Sequence, residues 1–150
     1  MATTDSDDRS HCRGRILVAE DDHELRRILV ESLRRDRHEI HDVGDGASLL
    51  VELARNNYFH YHAVDAVVAD IRMPLCSGLQ AAATARSIRR DLPFVLLSAF
   101  ADADAHARAR ALDAVLLEKP VSMDELRRVV GEVIARSRGQ VASPSRSSIR

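Results

Sequence analysis

The 150-residue chain has no tryptophan and only three phenylalanines and two tyrosines, 3% aromatic in all. That supply is too thin for the stacked platforms that bind single-stranded nucleic acid or open sugar sites. Cysteine occurs twice, as Cys12 in a polar lead and as Cys76. Two thiols so placed exclude a disulfide framework and a four-cysteine metal site. No apolar run approaches the roughly 20 residues of a membrane span. The N-terminus also lacks the apolar stretch of a signal peptide, so we expect a cytoplasmic protein without a membrane partner. A formal net charge of −1 offers no broad basic field for DNA.

What is present is 45% hydrophobic and 30% charged, at a length that suits one domain with a sizeable core. Of 22 lysine and arginine residues, Lys119 is the single lysine. The bias fits the codon usage of a GC-rich genome. It also fits a position where the wide planar fork of arginine cannot replace a compact ammonium. Charge is unevenly spread. Residues 1–14 carry Asp5, Asp7 and Asp8 against Arg9 and Arg13, whereas residues 137–150 carry Arg138, Arg146 and Arg150 with no acid.

Residues 1–14 are polar and aperiodic, which predicts a disordered lead. RILVAE (15–20) has the pattern of a buried strand. A helix follows over 22–37, with Leu25, Ile28, Leu29 and Leu33 on one face and Glu24 in its first turn. A second strand spans 39–43, and Gly44-Asp45-Gly46 breaks it. The next helix, 47–56, turns Leu49, Leu50, Leu53 and Ala54 inward, before an aromatic and histidine-rich connector, NYFHYH (57–62). A third strand, 64–69, ends at Asp70, followed by a Pro- and Gly-punctuated loop over 71–78. A helix over 79–90 and a fourth strand over 93–97 lead to Ser98. Residues 101–112 alternate Ala with polar residues, yet alanine's propensities favour a helix. A fifth strand, 114–117, ends at Glu118-Lys119-Pro120. Ser122 and Glu125 then form an S-x-x-E capping box, and Met123, Leu126, Val130, Val133 and Ile134 trace the inner face of the last helix. From Ser137 the composition is Ser- and Arg-rich, which predicts a disordered basic tail over 137–150.

Five strands alternating with five helices imply an α/β, doubly wound, flavodoxin-like (βα)5 fold, a five-stranded parallel sheet in the order 2-1-3-4-5. In such sheets function gathers at the carboxyl ends of the strands. Those ends carry Glu20 and Asp21, Asp70, Ser98 and Lys119. Three carboxylates brought together repel strongly unless one is protonated or a cation is present. Oxygen-only ligands on an open loop suit Mg²⁺. A metal, a positioning cation, a hydroxyl and a carboxylate nucleophile are the parts of phosphoryl transfer.

Four segments now carry a resemblance. Ile16-Leu17-Val18-Ala19-Glu20-Asp21, Val67-Val68-Ala69-Asp70-Ile71-Arg72-Met73-Pro74 with Gly78, Leu96-Leu97-Ser98-Ala99 and Glu118-Lys119-Pro120 lie in order at strand ends. With them the region 15–136 resembles the receiver domain of two-component response regulators, the CheY-like family. The resemblance implies that Asp70 is the phosphoacceptor. It implies that Glu20, Asp21, Asp70 and the Arg72 backbone carbonyl bind Mg²⁺, and that Ser98, Ala99 and Lys119 receive the phosphoryl group. It further implies a cis Lys119–Pro120 bond, and as phosphodonor a phosphohistidine on a sensor histidine kinase or phosphotransfer protein. The output partner, unknown, would meet the face made by the fourth helix, fifth strand and fifth helix. The 14 residues after Arg136 cannot hold a helix-turn-helix, so direct DNA binding is not expected. The chain would be a stand-alone switch rather than an enzyme with turnover.

Several residues depart from the pattern or lie beside it. Leu116 stands where the family usually has Tyr or Phe, three residues before the lysine, so the usual aromatic rotamer switch cannot operate. Arg72 and Phe100 border the path of attacking water, and bulky Phe100 is expected to shield an acyl phosphate. His60 and His62 lack a third ligand and read as a surface loop, and Tyr58, Phe59 and Tyr61 beside them offer a helix-end cover or a partner patch. Cys76 has only its location to suggest a redox role. Two rival readings remain. One is a degenerate receiver serving as a constitutive binding module. The other is a Mg²⁺-dependent phosphohydrolase of the same topology, although Glu20-Asp21-Asp22 does not give such enzymes' usual placing of the nucleophile after the first strand.

Overall fold

In a computed structural model, residues 14–58 and 63–142 are described, with side chains for 14–55 and 63–139. The elements are β1 (Arg15–Ala19), α1 (His23–Arg34), β2 (Glu39–Val43), α2 (Gly46–Tyr58), β3 (Ala66–Asp70), α3 (Gly78–Ile88), β4 (Phe94–Ser98), α4 (Ala103–Ala111), β5 (Val115–Glu118) and α5 (Met123–Ala142). The strands pair in parallel in the order β2-β1-β3-β4-β5, as the alternation of elements predicts.

Strand periodicity builds two apolar layers. Leu17, Ala19, Val67, Ala69, Phe94 and Leu96 face one side, under Leu49 of α2 and Leu79 of α3. Ile16, Val18, Val68, Val95 and Leu97 face the other, under Leu29 and Leu33 of α1 and Leu126 and Val130 of α5. β3 and β4 are buried along their whole length. This is why they read as unbroken apolar runs rather than as alternation.

The helices begin on side-chain caps. Asp22, Asp45 and Asp102 accept hydrogen bonds from Leu25 N, Ser48 N and Ala105 N at 3.0, 2.7 and 2.8 Å. Ser77 and Gln80 form a reciprocal capping box at the start of α3. At Ser122 one arm of the expected box is present, Glu125 N to Ser122 Oγ at 3.3 Å. α4 buries little besides Ala109, in keeping with its alanine-and-charge composition.

Three local expectations change. α1 lies against β1, β2 and α5, and its buried arc turns to include Val30 and Ser32 while Ile28 stands 42% exposed. Ala54 is exposed, and Leu49 and Leu53 alone of the expected α2 face are fully buried. α5 does not end before Ser137 but runs to Ala142. Ser- and Arg-rich composition does not break a helix, and Arg138 pairs with Asp65 at 3.6 Å. Of the lead expected over 1–14, Gly14 is buried and accepts from Glu39 N at 2.9 Å, while residues 1–13, with Cys12, and the segment 143–150 lie outside the described residues. So do Phe59, His60, Tyr61 and His62; the side chain of Tyr58 lies outside them too. No helix among the described residues is long and apolar enough to cross a membrane.

Candidate functional site

The parallel register sets strand ends side by side. Ala19 pairs with Ala69, Asp70 with Leu97, and Ser98 with Glu118. One residue past β1, Glu20 is completely buried, its N–H bonded to Val43 O at 3.2 Å. Asp70 closes β3 at 5% exposure and Ser98 closes β4 at 3%. Lys119 N donates to Ser98 O at 2.8 Å, which fixes the origin of the lysine side chain. The Lys119–Pro120 bond is cis.

From that origin the Lys119 ammonium reaches across two strands. It donates to Asp70 Oδ2 at 2.6 Å and to Glu20 Oε2 at 3.1 Å. Carboxylate oxygens of Glu20, Asp21 and Asp70 lie within 4.8 Å of one another, the first and last buried and Asp21 exposed. Burial is the main cause that pushes the Glu20 carboxyl up to about 7. The negative charge of Asp70 adds to it, while bonds from the Asp22 N–H and Lys119 oppose it. For Lys119 burial acts downward, yet its bonds to Asp70 and Glu20 outweigh that and leave it raised. A cluster of oxygen donors, one open to solvent and one costly to ionise unaided, is what a hard divalent cation would satisfy, and the donor set fits Mg²⁺.

Neighbouring backbone holds these groups in place. Asp22 N bonds Glu20 Oε1 at 3.1 Å, and Arg72 N bonds Asp70 Oδ1 at 3.0 Å. A Cβ at Gly78 would stand 2.4 Å from Asp70 O, so only glycine lets the first turn of α3 close on the end of β3. A Cβ at Gly46 would stand 1.9 Å from Cys76 O. The loop after β3 therefore rests directly on the start of α2.

Of the residues expected at the site, the structure brings Glu20, Asp21, Asp70 and Lys119 together. Ser98 stands on the same edge, its Oγ accepting from Phe100 N at 3.1 Å. Ala99 is exposed just beyond it. Arg72 and Phe100 meet directly, with the guanidinium carbon 4.8 Å from the ring centroid. Leu116 is half-buried and packs against the core. Cys76 donates weakly to Ser77 O at 3.5 Å, and burial pushes its thiol up, away from the reactive thiolate.

One contributor escaped the sequence reading. Arg26 donates to Glu20 O at 2.9 Å and pairs with Asp42 at 3.1 Å. It thereby clamps the end of β1 to β2, and it lies where a side chain at Gly44 would be, 2.7 Å from the Arg26 Nη1. Among so many arginines nothing marks this one except its place one turn after Asp22 and the glycine it passes.

Comparison with known proteins agrees with this geometry. A family profile described as the response regulator receiver domain matches residues 16–131. The chain is 36% identical to the transcriptional regulatory protein PdtaR of Mycobacterium tuberculosis over 95% of its length and 69% of that protein's. It is 32% identical to the response regulator receiver protein CpdR of Brucella abortus over 75% of its length and 89% of that protein's. Among solved structures, a response regulator receiver protein from Sinorhizobium medicae superposes with a TM-score of 0.74 at 27% identity, covering 83% of this chain and 96% of that one.

Proposed function

The chain belongs to the response regulator receiver family, and from that premise we propose that it is a phospho-accepting switch with Asp70 as the acceptor. The observation that carries this is the Lys119 ammonium bonded at once to Asp70 and Glu20. Glu20, Asp21, Asp70 and the Arg72 carbonyl would hold Mg²⁺, which when bound supplies positive charge to the oxygens of an incoming phosphoryl group.

In the transfer, an Asp70 carboxylate oxygen forms a P–O bond. The P–N bond of a phosphohistidine on a sensor kinase or phosphotransfer protein breaks, and the imidazole keeps the electron pair. Lys119 holds a phosphoryl oxygen by charge, Ser98 donates its hydroxyl proton to another, and the Ala99 N–H is placed to add a third bond. Ala99 is small and exposed, so the donor histidine can approach.

Output would pass by protein contact across α4, β5 and α5. A groove of about 470 Å³ between α4 and β5, lined by Ala103, His106, Ala109, Arg110, Ala114 and Leu116, lies on that face. The folded unit is assigned from Arg15 to the end of α5 at Ala142, and the cytoplasm, where kinase and target meet, is its proposed place. The deciding experiment is incubation with Mg²⁺ and a small acyl phosphate. One acid-stable, alkali-labile phosphate per chain, absent in Asp70→Asn, is expected. Continuous turnover would indicate a phosphohydrolase, and no reaction a constitutive binding module.

A further inference from the structure

The junction of β4 and α4 holds an arrangement that the acceptor chemistry does not require. The backbone of Phe100 is tied by its N–H to Ser98 Oγ at 3.1 Å. The residue is 67% exposed, and its ring lies against the Arg72 guanidinium, whose carbon is 4.8 Å from the centroid. Such a contact is worth only about 0.5–1 kcal/mol at an exposed site. Each tether of Phe100 therefore ends on a group beside Asp70. Ser98 closes the adjacent strand, and Arg72 is two residues beyond the acceptor, its N–H bonded to Asp70 Oδ1. Meanwhile Leu116, half-buried and aliphatic, packs against the core and has no ring to turn outward.

We propose that Phe100 is the moving part that makes occupancy of Asp70 visible at the surface, in place of an aromatic residue at position 116. The proposal rests on the phospho-accepting reading of the site. A phosphoryl group on Asp70 sets three strong acceptor oxygens beside both tethers. The Ser98 hydroxyl turns to donate to one of them and its oxygen leaves the Phe100 N–H. The Arg72 guanidinium exchanges the ring face for a charge-assisted bond to phosphate, which is the stronger interaction. Both tethers slacken in the same event. The ring then leaves the rim of the site and becomes available to a partner, so the signal appears at the β4–α4 junction itself.

The test uses the whole chain labelled with ¹⁵N-phenylalanine. Three phenylalanines give three amides, and Phe94, buried in β4, serves as internal reference. Acetyl phosphate with Mg²⁺ is added while intact mass counts phosphate per chain. In phosphorylated protein the Phe100 amide should shift and its hydrogen exchange should rise roughly tenfold or more, as expected for a locally opened bond, with Phe94 unchanged. Ser98→Ala should exchange fast at Phe100 beforehand and show no further rise once phosphorylated. Phosphorylated protein with Phe100 unaltered would overturn the proposal alone. So would a Ser98→Ala protein that still shows the full rise. Absence of phosphate by mass would overturn the phospho-accepting reading and this proposal with it.

Discussion

The two edges of the sheet each gather cationic side chains, and they use them in opposite ways. At the amino edge, Arg86 donates to the carbonyls of Leu112 at 2.8 Å, Arg90 at 3.1 Å, Asp113 at 3.2 Å and Leu92, and lies 5.7 Å from the Phe94 ring centroid. Arg89 beside it donates to Val64 O. Burial lowers the Arg86 guanidinium, with Asp113 and Asp91 opposing. At the carboxyl edge, Lys119 sits between two buried carboxylates. The guanidinium fork is filled by neutral backbone oxygens from three chain segments, so it staples them together. The ammonium is a point charge on a flexible stem among groups whose charge is in surplus, so it can be shared with a newcomer. The difference assigns permanence to one edge and exchange to the other.

Swapping the cation types should break that contrast. Lys119→Arg is expected to fold, yet to slow phosphate uptake from acetyl phosphate roughly a hundredfold, as loss of a preorganised charge partner does. A rate within a factor of two of the parent would show that any cation suffices there. Arg86→Lys, at the other edge, should cost about 1–2 kcal/mol of stability by leaving the part-buried carbonyls of Leu92 and Leu112 without a partner. It should leave phosphate uptake per folded chain unchanged, and denaturant melts beside the uptake assay would check both halves.

The edges should also separate by pH. Glu20 has its carboxyl raised from 4.5 to about 7. A carboxyl raised in the folded state lends its full stability below pH 4.5, and that stability is lost as pH rises through 7. Metal-free protein should therefore lose thermal stability across that window. Added Mg²⁺ should restore most of it above pH 7 and little below 5, measured as Tm with and without the ion. A Glu20→Gln protein should show neither trend. The smallest effect belongs to neither edge. Gly131 lies inside α5 with open space where a Cβ would stand, so Gly131→Ala should stabilise by about 0.5–1 kcal/mol with uptake unchanged.

How much could be read beforehand follows the same division. The carboxyl edge was legible because parallel topology places every strand's last residue on one line. Glu20, Asp70, Ser98 and Lys119 could be set together from order alone. Arg86 and Arg26 were not legible, because their partners are carbonyls and an aspartate distant in sequence, and backbone oxygens carry no letter. Ile28 and Val30 exchanged places for a similar reason, since a helix wedged among β1, β2 and α5 is oriented by three neighbours and not by its own period. The capping box at Ser77 and Gln80 has a sequence signature, S-x-x-Q, but it is embedded among the Pro and Gly signals of the preceding loop. The end of α5 at Ala142 is not legible from composition, because Ser and Arg are compatible with an exposed helix.

The close crossing of Gly46 over the Cys76 carbonyl has a mechanical corollary. With no atom to spare between the two backbones, the loop leaving Asp70 is pinned against α2 on one flank, while on the other Ile71 N is bonded to Leu97 O at 2.8 Å and Arg72 lies against the exposed Phe100 ring. A side chain at position 46 would have to lift that loop away from α2, and with it the stretch whose Arg72 N–H is bonded to Asp70.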